Sequence, residues 1–244
     1  MKERISLLLA AAALLLLPSC RFIRLSDELK ERIEENGITW MGEKAGESFT
    51  ASDMIATRSD IPGVYHALNC SLPCDIVYTP GDCGITLHGP DNVLDKITVI
   101  NENGTLSIRL DARVQNLKNL QVELQSPVLE RLTCNGAVNF KAPEGITALD
   151  FTTTVNGAGD IDIRGLKAAS ATITVNGAGD ADIAGIDCEK LSVSINGAGD
   201  ATLAGRTDLA DLTISGAGDI DARQLACGHL NSKVRGVGSI RKPK

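Results

Sequence analysis

Val155-Asn156-Gly157-Ala158-Gly159-Asp160 is followed by Val175-Asn176-Gly177-Ala178-Gly179-Asp180, by Ile195-Asn196-Gly197-Ala198-Gly199-Asp200 and by Ile214-Ser215-Gly216-Ala217-Gly218-Asp219. Weaker copies flank the series at Cys134-Asn135-Gly136-Ala137-Val138-Asn139 and Val234-Arg235-Gly236-Val237-Gly238-Ser239. The first glycines fall at 136, 157, 177, 197, 216 and 236. A nearly constant period of about 20 residues marks a solenoid, in which each repeat buries its apolar side against its neighbours.

The residues around each phrase give the coil its structure. Counting from the first glycine, positions −6, −4 and −2 are apolar in most copies, as in Ala171/Ile173/Val175 and Leu191/Val193/Ile195. Positions +4 and +6 are apolar too, as in Ile161/Ile163 and Ala181/Ile183. Alternation on both sides of a glycine turn predicts two strands per coil. Leu166, Ile186 and Leu225 at +9 predict a third short segment that closes it. The expected fold is all-β, a parallel β-helix with coils of about 20 residues. Crossovers between parallel strands are almost always right-handed, so a right-handed helix is expected.

Outward from the repeats the pattern weakens. Between Val64 and Gln125, pairs such as Ile76/Tyr78, Ile85/Leu87 and Leu106/Ile108 alternate with polar residues, and Pro80-Gly81-Asp82 and Asn103-Gly104 read as turns. Residues 61–244 are therefore read as one solenoid domain, irregular over 61–128 and regular over 129–244. Residues 25–36 read as a short helix, with Ser26 as its cap, Leu25, Leu29 and Ile33 on one face, and Gly37 as its stop. Residues 20–60 as a whole read as a tether.

The first nineteen residues read as an export signal. Lys2 and Arg4 precede an apolar run from Leu7 to Leu17 that is too short to span a membrane. The run ends in Leu17-Pro18-Ser19-Cys20, which resembles the lipobox of bacterial lipoproteins. That resemblance implies lipidation of Cys20, which becomes the first mature residue. By lipoprotein sorting rules, Arg21 in place of an acidic residue implies the outer membrane; the membrane face stays open.

Charge narrows the partners. Without residues 1–19 the chain has 22 basic and 30 acidic residues, net −8. This argues against nucleic acid and anionic lipid surfaces as ligands. Aromatic residues make up only 3% of the chain, few for stacking sugars or bases.

Six cysteines follow Cys20. Cys70, Cys74 and Cys83 lie close in sequence, and a bridge between two of them is expected, with the pair left open. Cys134 takes an apolar slot and reads as a core thiol. Cys188 and Cys227 hold equivalent positions two coils apart, near 10 Å at about 4.8 Å per coil, too far to bridge. Cys70-x3-Cys74 lacks the second pair a zinc site needs.

The repeated polar residues are the candidate sites. Asn156, Asn176 and Asn196 form a column expected to stack amide on amide. Gly157, Gly177, Gly197 and Gly216 are the turn glycines. Asp160, Asp180, Asp200 and Asp219 at +3, with Asp162, Asp182 and Asp221 at +5, would form an outward grid about 5 Å apart along the axis. Crowded carboxylates attract cations, so Ca2+ or a polycation is the candidate ligand of this grid; a solvated acidic face is the plainer reading. The calcium-roll motif puts its Asp two residues after the last glycine, where this chain has Ile161, Ala181, Ala201 and Ile220. Outward Thr172/Thr174 and Ser192/Ser194 add a hydroxyl ladder. Lys233, Arg235 and Arg241 in the last coil read as an end cap against stacking.

Catalysis finds little support. His66, His88 and His229 form no recognisable pair, and no nucleophile elbow or phosphate loop is present. Asp160/Asp162 beside Arg164 imitates the acidic sites of β-helix polysaccharide enzymes, but the carboxylates recur in every coil.

The irregular strands followed by Asn-Gly-Ala-Gly-Asp coils resemble the head GIN domain family of auto-transporter adhesins. The resemblance covers roughly Ile61 to Ile240, with Gly104-Thr105-Leu106-Ser107-Ile108 supporting it in the first half. It implies a non-catalytic cell-envelope protein with an adhesin-like role toward an unknown protein or glycan. The alternative is a periplasm-facing scaffold or signalling module. No cofactor is implied, and the ends of a solenoid admit oligomers.

Overall fold

The computed structural model describes residues 48–243. The expected export signal, Cys20 and the helix expected at 25–36 lie outside the described residues. Strand structure begins earlier than the sequence suggests. Strands β1 (Ser48–Thr50) and β2 (Ile55–Asp60) fall within the stretch read as tether. The boundary expected at 61 therefore moves toward the N-terminus.

The first coil consists of β3 (Ala67–Ser71) and β4 (Cys74–Pro80), followed by β5 (Gly84–Pro90). A single helical turn, α1 (Asp91–Leu94), leads to β6 (Ile97–Glu102) and β7 (Thr105–Leu110). Then come β8 (Arg113–Gln115), β9 (Gln121–Ser126), β10 (Arg131–Gly136), β11 (Val138–Ala142) and β12 (Ile146–Thr147). The regular part is β13 (Asp150–Gly157), β14 (Ile161–Gly177), β15 (Ala181–Gly197), β16 (Ala201–Ala217), β17 (Ile220–Val237) and β18 (Ile240–Arg241).

Parallel pairing runs through the stack. β3 lies between β7 and β10, and β4 lies between β9 and β11. From β13 onward each coil pairs with the next almost residue for residue: Asn156 faces Asn176, and Asn176 faces Asn196. Leu166 faces Ile186, which is the closing segment expected at +9. The fold is the expected β-solenoid of about 20-residue coils.

The irregular half differs in one respect. β5 and β6 are antiparallel additions, on β9 and β7 respectively, and β2 adds antiparallel to β5. Asn103 (φ 51°) and Gly104 (φ 76°) both lie in the left-handed region, as a two-residue hairpin between β6 and β7 requires. The Pro80-Gly81-Asp82 turn does not join neighbours, because β9 inserts between β4 and β5.

Alternation becomes core. Val155, Ile163, Val175, Ile183, Ile195, Leu203 and Ile214 are all fully buried. Each such side chain contributes roughly 1.5–3 kcal/mol when withdrawn from water. Tyr65 and Tyr78 reach across the coil and donate their hydroxyls to the carbonyls of Gly84 and Ser126. Thr153 is the exception. It fills the slot held by Leu132 and Ile173 in adjacent coils, and its buried hydroxyl has no hydrogen-bond partner among the described residues.

The corner has room only for glycine. Gly177 has φ 153°, and a Cβ there would lie 1.9 Å from the Gly157 carbonyl oxygen. At Gly179 a Cβ would lie 2.1 Å from the Gly159 oxygen. The close approach serves hydrogen bonds: the Ala178 N–H donates to Gly157 O at 2.9 Å, and Ala198 to Gly177 O at 2.8 Å.

Two substitutions test this packing. Gly177→Ala should destabilise by about 2–4 kcal/mol in urea unfolding, whereas Ala178→Ser at the exposed neighbour stays within about 0.5 kcal/mol. Thr153→Val should stabilise by about 1 kcal/mol, because it removes an unpaired buried hydroxyl while keeping the shape.

Candidate functional site

The polar residues of the corner form two ladders, and each begins earlier than the repeats suggest. In the first, the side-chain amide of each Asn donates to the Asn oxygen one coil back. Asn196 donates to Asn176 at 2.9 Å, Asn176 to Asn156 at 2.9 Å, and Asn156 to Asn135 at 3.0 Å. Asn135 then donates to Asn69 Oδ1 at 3.0 Å and to Ser71 Oγ at 3.2 Å. Sequence reading missed Asn69, which lies in β3 without a Gly-Ala-Gly phrase after it. The ladder ends at Asn196 because Ser215 takes the next place.

The Asp column at +3 forms the second ladder. Asp160 Oδ1 accepts the backbone N–H of Asp180 at 3.1 Å. Asp180 Oδ1 accepts that of Asp200 at 2.9 Å, and Asp200 Oδ1 that of Asp219 at 2.8 Å. Asp219 Oδ1 accepts both the N–H and the hydroxyl of Ser239. At the other end Asn139 Oδ1 accepts the Asp160 N–H, and the Asn139 amide donates to Asp75 Oδ1 at 2.7 Å. The column thus runs from Asp75 to Ser239. Asp160, Asp180, Asp200 and Asp219 each accept a backbone N–H at the corner, whereas Asp75 accepts a side-chain amide.

The column at +5 behaves differently. Arg164 bridges Asp162 at 2.6 Å and Asp182 at 3.0 Å across two coils. Asp221 is paired with Arg223, and Arg241 stands 3.9 Å away. The seven carboxylates are thus two different structures, one bonded to backbone and the other to arginine. Asp160 takes no part in the Arg164 cluster, so the Asp160/Asp162/Arg164 constellation imagined from sequence is not assembled. Among the described residues no three His, Cys, Asp or Glu side chains converge in an arrangement that could hold a metal ion. A further pair that sequence reading missed joins Arg206 to Asp187 through two hydrogen bonds, at 2.8 and 3.1 Å.

These contacts set the electrostatics. The Arg223 hydrogen bonds pull the Asp221 carboxyl down from 3.8 to about 2. The Ser239 hydrogen bonds lower Asp219, and Arg206 lowers Asp187. The histidines stand apart: His66 is 3.9 Å from Glu130, and His88 is 3.5 Å from Glu123 in a different strand.

The sequence family "Putative auto-transporter adhesin, head GIN domain" matches residues 64–185 and 156–242. The chain belongs to this family. No functionally curated protein matches it in sequence. A solved putative adhesin from Bacteroides fragilis NCTC 9343 superposes with a TM-score of 0.65 at 21% identity, covering 80% of this chain and 99% of that one. A structure described as a putative lipid binding protein from Parabacteroides distasonis ATCC 8503 gives 0.64 at 17%, covering 81% and 100%. A putative adhesin from Parabacteroides merdae ATCC 43184 gives 0.53 at 16%, covering 81% and 100%. At these identities the head GIN likeness to solved structures establishes the fold alone.

Two measurements test the ladder. Asp180→Asn keeps an acceptor for the Asp200 N–H, as Asn139 already does for Asp160, whereas Asp180→Ala removes it. The Ala variant should melt at a lower temperature than the Asn variant. The second concerns acid. Asp221 and Asp219 have lower pKa values folded than unfolded, so their contribution is complete above about pH 4 and is lost as pH falls toward 2. Urea midpoints should fall across that window, and less steeply in Asp221→Asn.

Proposed function

We propose that the protein is a cell-envelope lipoprotein, anchored through lipid on Cys20, whose solenoid acts by binding or as structure rather than by catalysis. The role is adhesin-like, toward a protein or glycan ligand. One observation carries this reading: the polar side chains that recur along the corner bond to one another or to backbone, coil after coil. An enzyme needs one constellation unlike its neighbours, whereas a ladder gives a long, stiff, repetitive surface. Membership of an adhesin-like family supports the same reading. No helix among the described residues is long and apolar enough to cross a membrane. The Parabacteroides distasonis structure described as a putative lipid binding protein suggests lipid binding instead. The packed coil interior, filled by residues such as Leu132, Val155, Ile173 and Leu212, offers little support for it.

Labelled palmitate and protease treatment of intact cells test the main reading. Label should enter the wild type and be lost in Cys20→Ala. Digestion in intact cells places the solenoid on the surface, as an adhesin requires. Protection until lysis replaces adhesion by a periplasm-facing scaffold role. Absence of label from the wild type removes the anchor.

A further inference from the structure

The first coil holds a group of sulfur atoms that the ladders do not use. Cys70 is the last inward residue of β3 and Cys74 the first of β4. Their Sγ atoms are 3.7 Å apart, with Leu72 buried in the arch between them. Both are thiols here, as are all six cysteines among the described residues. Both strands are held on two sides, β3 by β7 and β10 and β4 by β9 and β11, so the contact is fixed by the sheet. Cys83 is elsewhere, with its Sγ 4.0 Å from the Tyr65 carbonyl oxygen. Cys134 is the register partner of Cys70 and is completely buried.

The two sulfurs differ in access. Cys70 is fully enclosed, whereas Cys74 retains 7% exposure. Cys74 also lines an open surface depression of about 150 Å³, together with Pro73, Asp75, Lys118, Asn119 and Asn139.

We propose that Cys70 and Cys74 form a dithiol–disulfide site, entered at Cys74 through this depression and closed by exchange with a small disulfide or a thiol–disulfide oxidoreductase. Cys74 passes its proton to the Cys70 thiolate beside it, and the Cys74 sulfur then attacks one sulfur of the external disulfide. A mixed disulfide forms on Cys74, and the external thiolate that leaves takes that proton from Cys70. The Cys70 thiolate then attacks Cys74 Sγ and expels the second external thiolate. The two protons given up by Cys70 and Cys74 end on the two released thiols. Two electrons pass from the protein to the external disulfide, so the balance is complete. At rest the hydrogen bond from Cys74 stabilises the Cys70 thiolate, whereas that same contact and then burial hold Cys74 protonated. Cys70 is therefore the better leaving group on reduction and Cys74 the point of attack. Burial pushes the Cys134 thiol up to about 12, which keeps it out of the exchange.

The full chain, incubated with oxidised glutathione and then denatured in excess alkylating agent, gives the test. Trypsin releases Ser59–Lys96 as one peptide with Cys70, Cys74 and Cys83. The expected peptide carries alkyl on Cys83 alone and has lost two hydrogens between Cys70 and Cys74. Alkyl on all three residues, or a bridge to Cys83 or Cys134, overturns the proposal. Variants fix the entry point. Cys70→Ser should trap glutathione on Cys74, and Cys74→Ser should trap none on Cys70. The reverse pattern overturns entry through the depression. The wild-type result stands alone if either variant fails to fold.

Discussion

Everything in this molecule depends on how closely one coil's corner approaches the next. Strands of adjacent coils hydrogen-bond along most of their length, so the coil spacing is that of a parallel sheet. A sharp corner cannot continue that ladder without bringing backbone against backbone. The Gly-Ala-Gly phrase solves the steric problem: at Gly177 and Gly179 the neighbouring carbonyl occupies the space of a side chain. It leaves an electrostatic one, because the amides at the corner must still find acceptors. Asp after the glycines supplies one, accepting the backbone N–H one coil on, while the Asn side chains before them bond to one another.

This accounts for the coupling of sequence and period. Asn156, Gly157, Gly159 and Asp160 are one unit, since each takes its partner from the same residue one coil away. Where a coil departs from the phrase the partner changes with it. Asn139 replaces an Asp and keeps the acceptor, and Ser239 ends the column as a donor to Asp219. The 19-residue step between Gly197 and Gly216 is absorbed away from this corner, by a register shift between Ile183 and Ile186 on the facing strand. The corner tolerates less than the strands do.

The solenoid was legible in the sequence because period, alternation and glycine spacing all point one way. Three things were not. The Asp column reads as crowded negative charge when only side chains are counted; the backbone N–H that each carboxylate accepts is invisible in a sequence. The +5 column has the same composition, yet Arg164 and Arg223 change its character, and only the coil-to-coil register brings Arg164 to Asp182. The irregular half hid most. Asn69 and Asp75 are single residues with no repeat to mark them, and β9 slips between β4 and β5 from about forty residues downstream. Non-local pairing of this kind leaves no local pattern to read.

The central claim is that the corners are hydrogen-bonded from coil to coil and are not loose turns between strands. Amide hydrogen exchange measured residue by residue tests it most directly. The N–H groups of Ala178, Asp180, Ala198 and Asp200 should be protected to the same degree as those of Ile173 and Val193 in the strands. Rapid exchange at these four amides, with protection confined to the strands, would contradict the account.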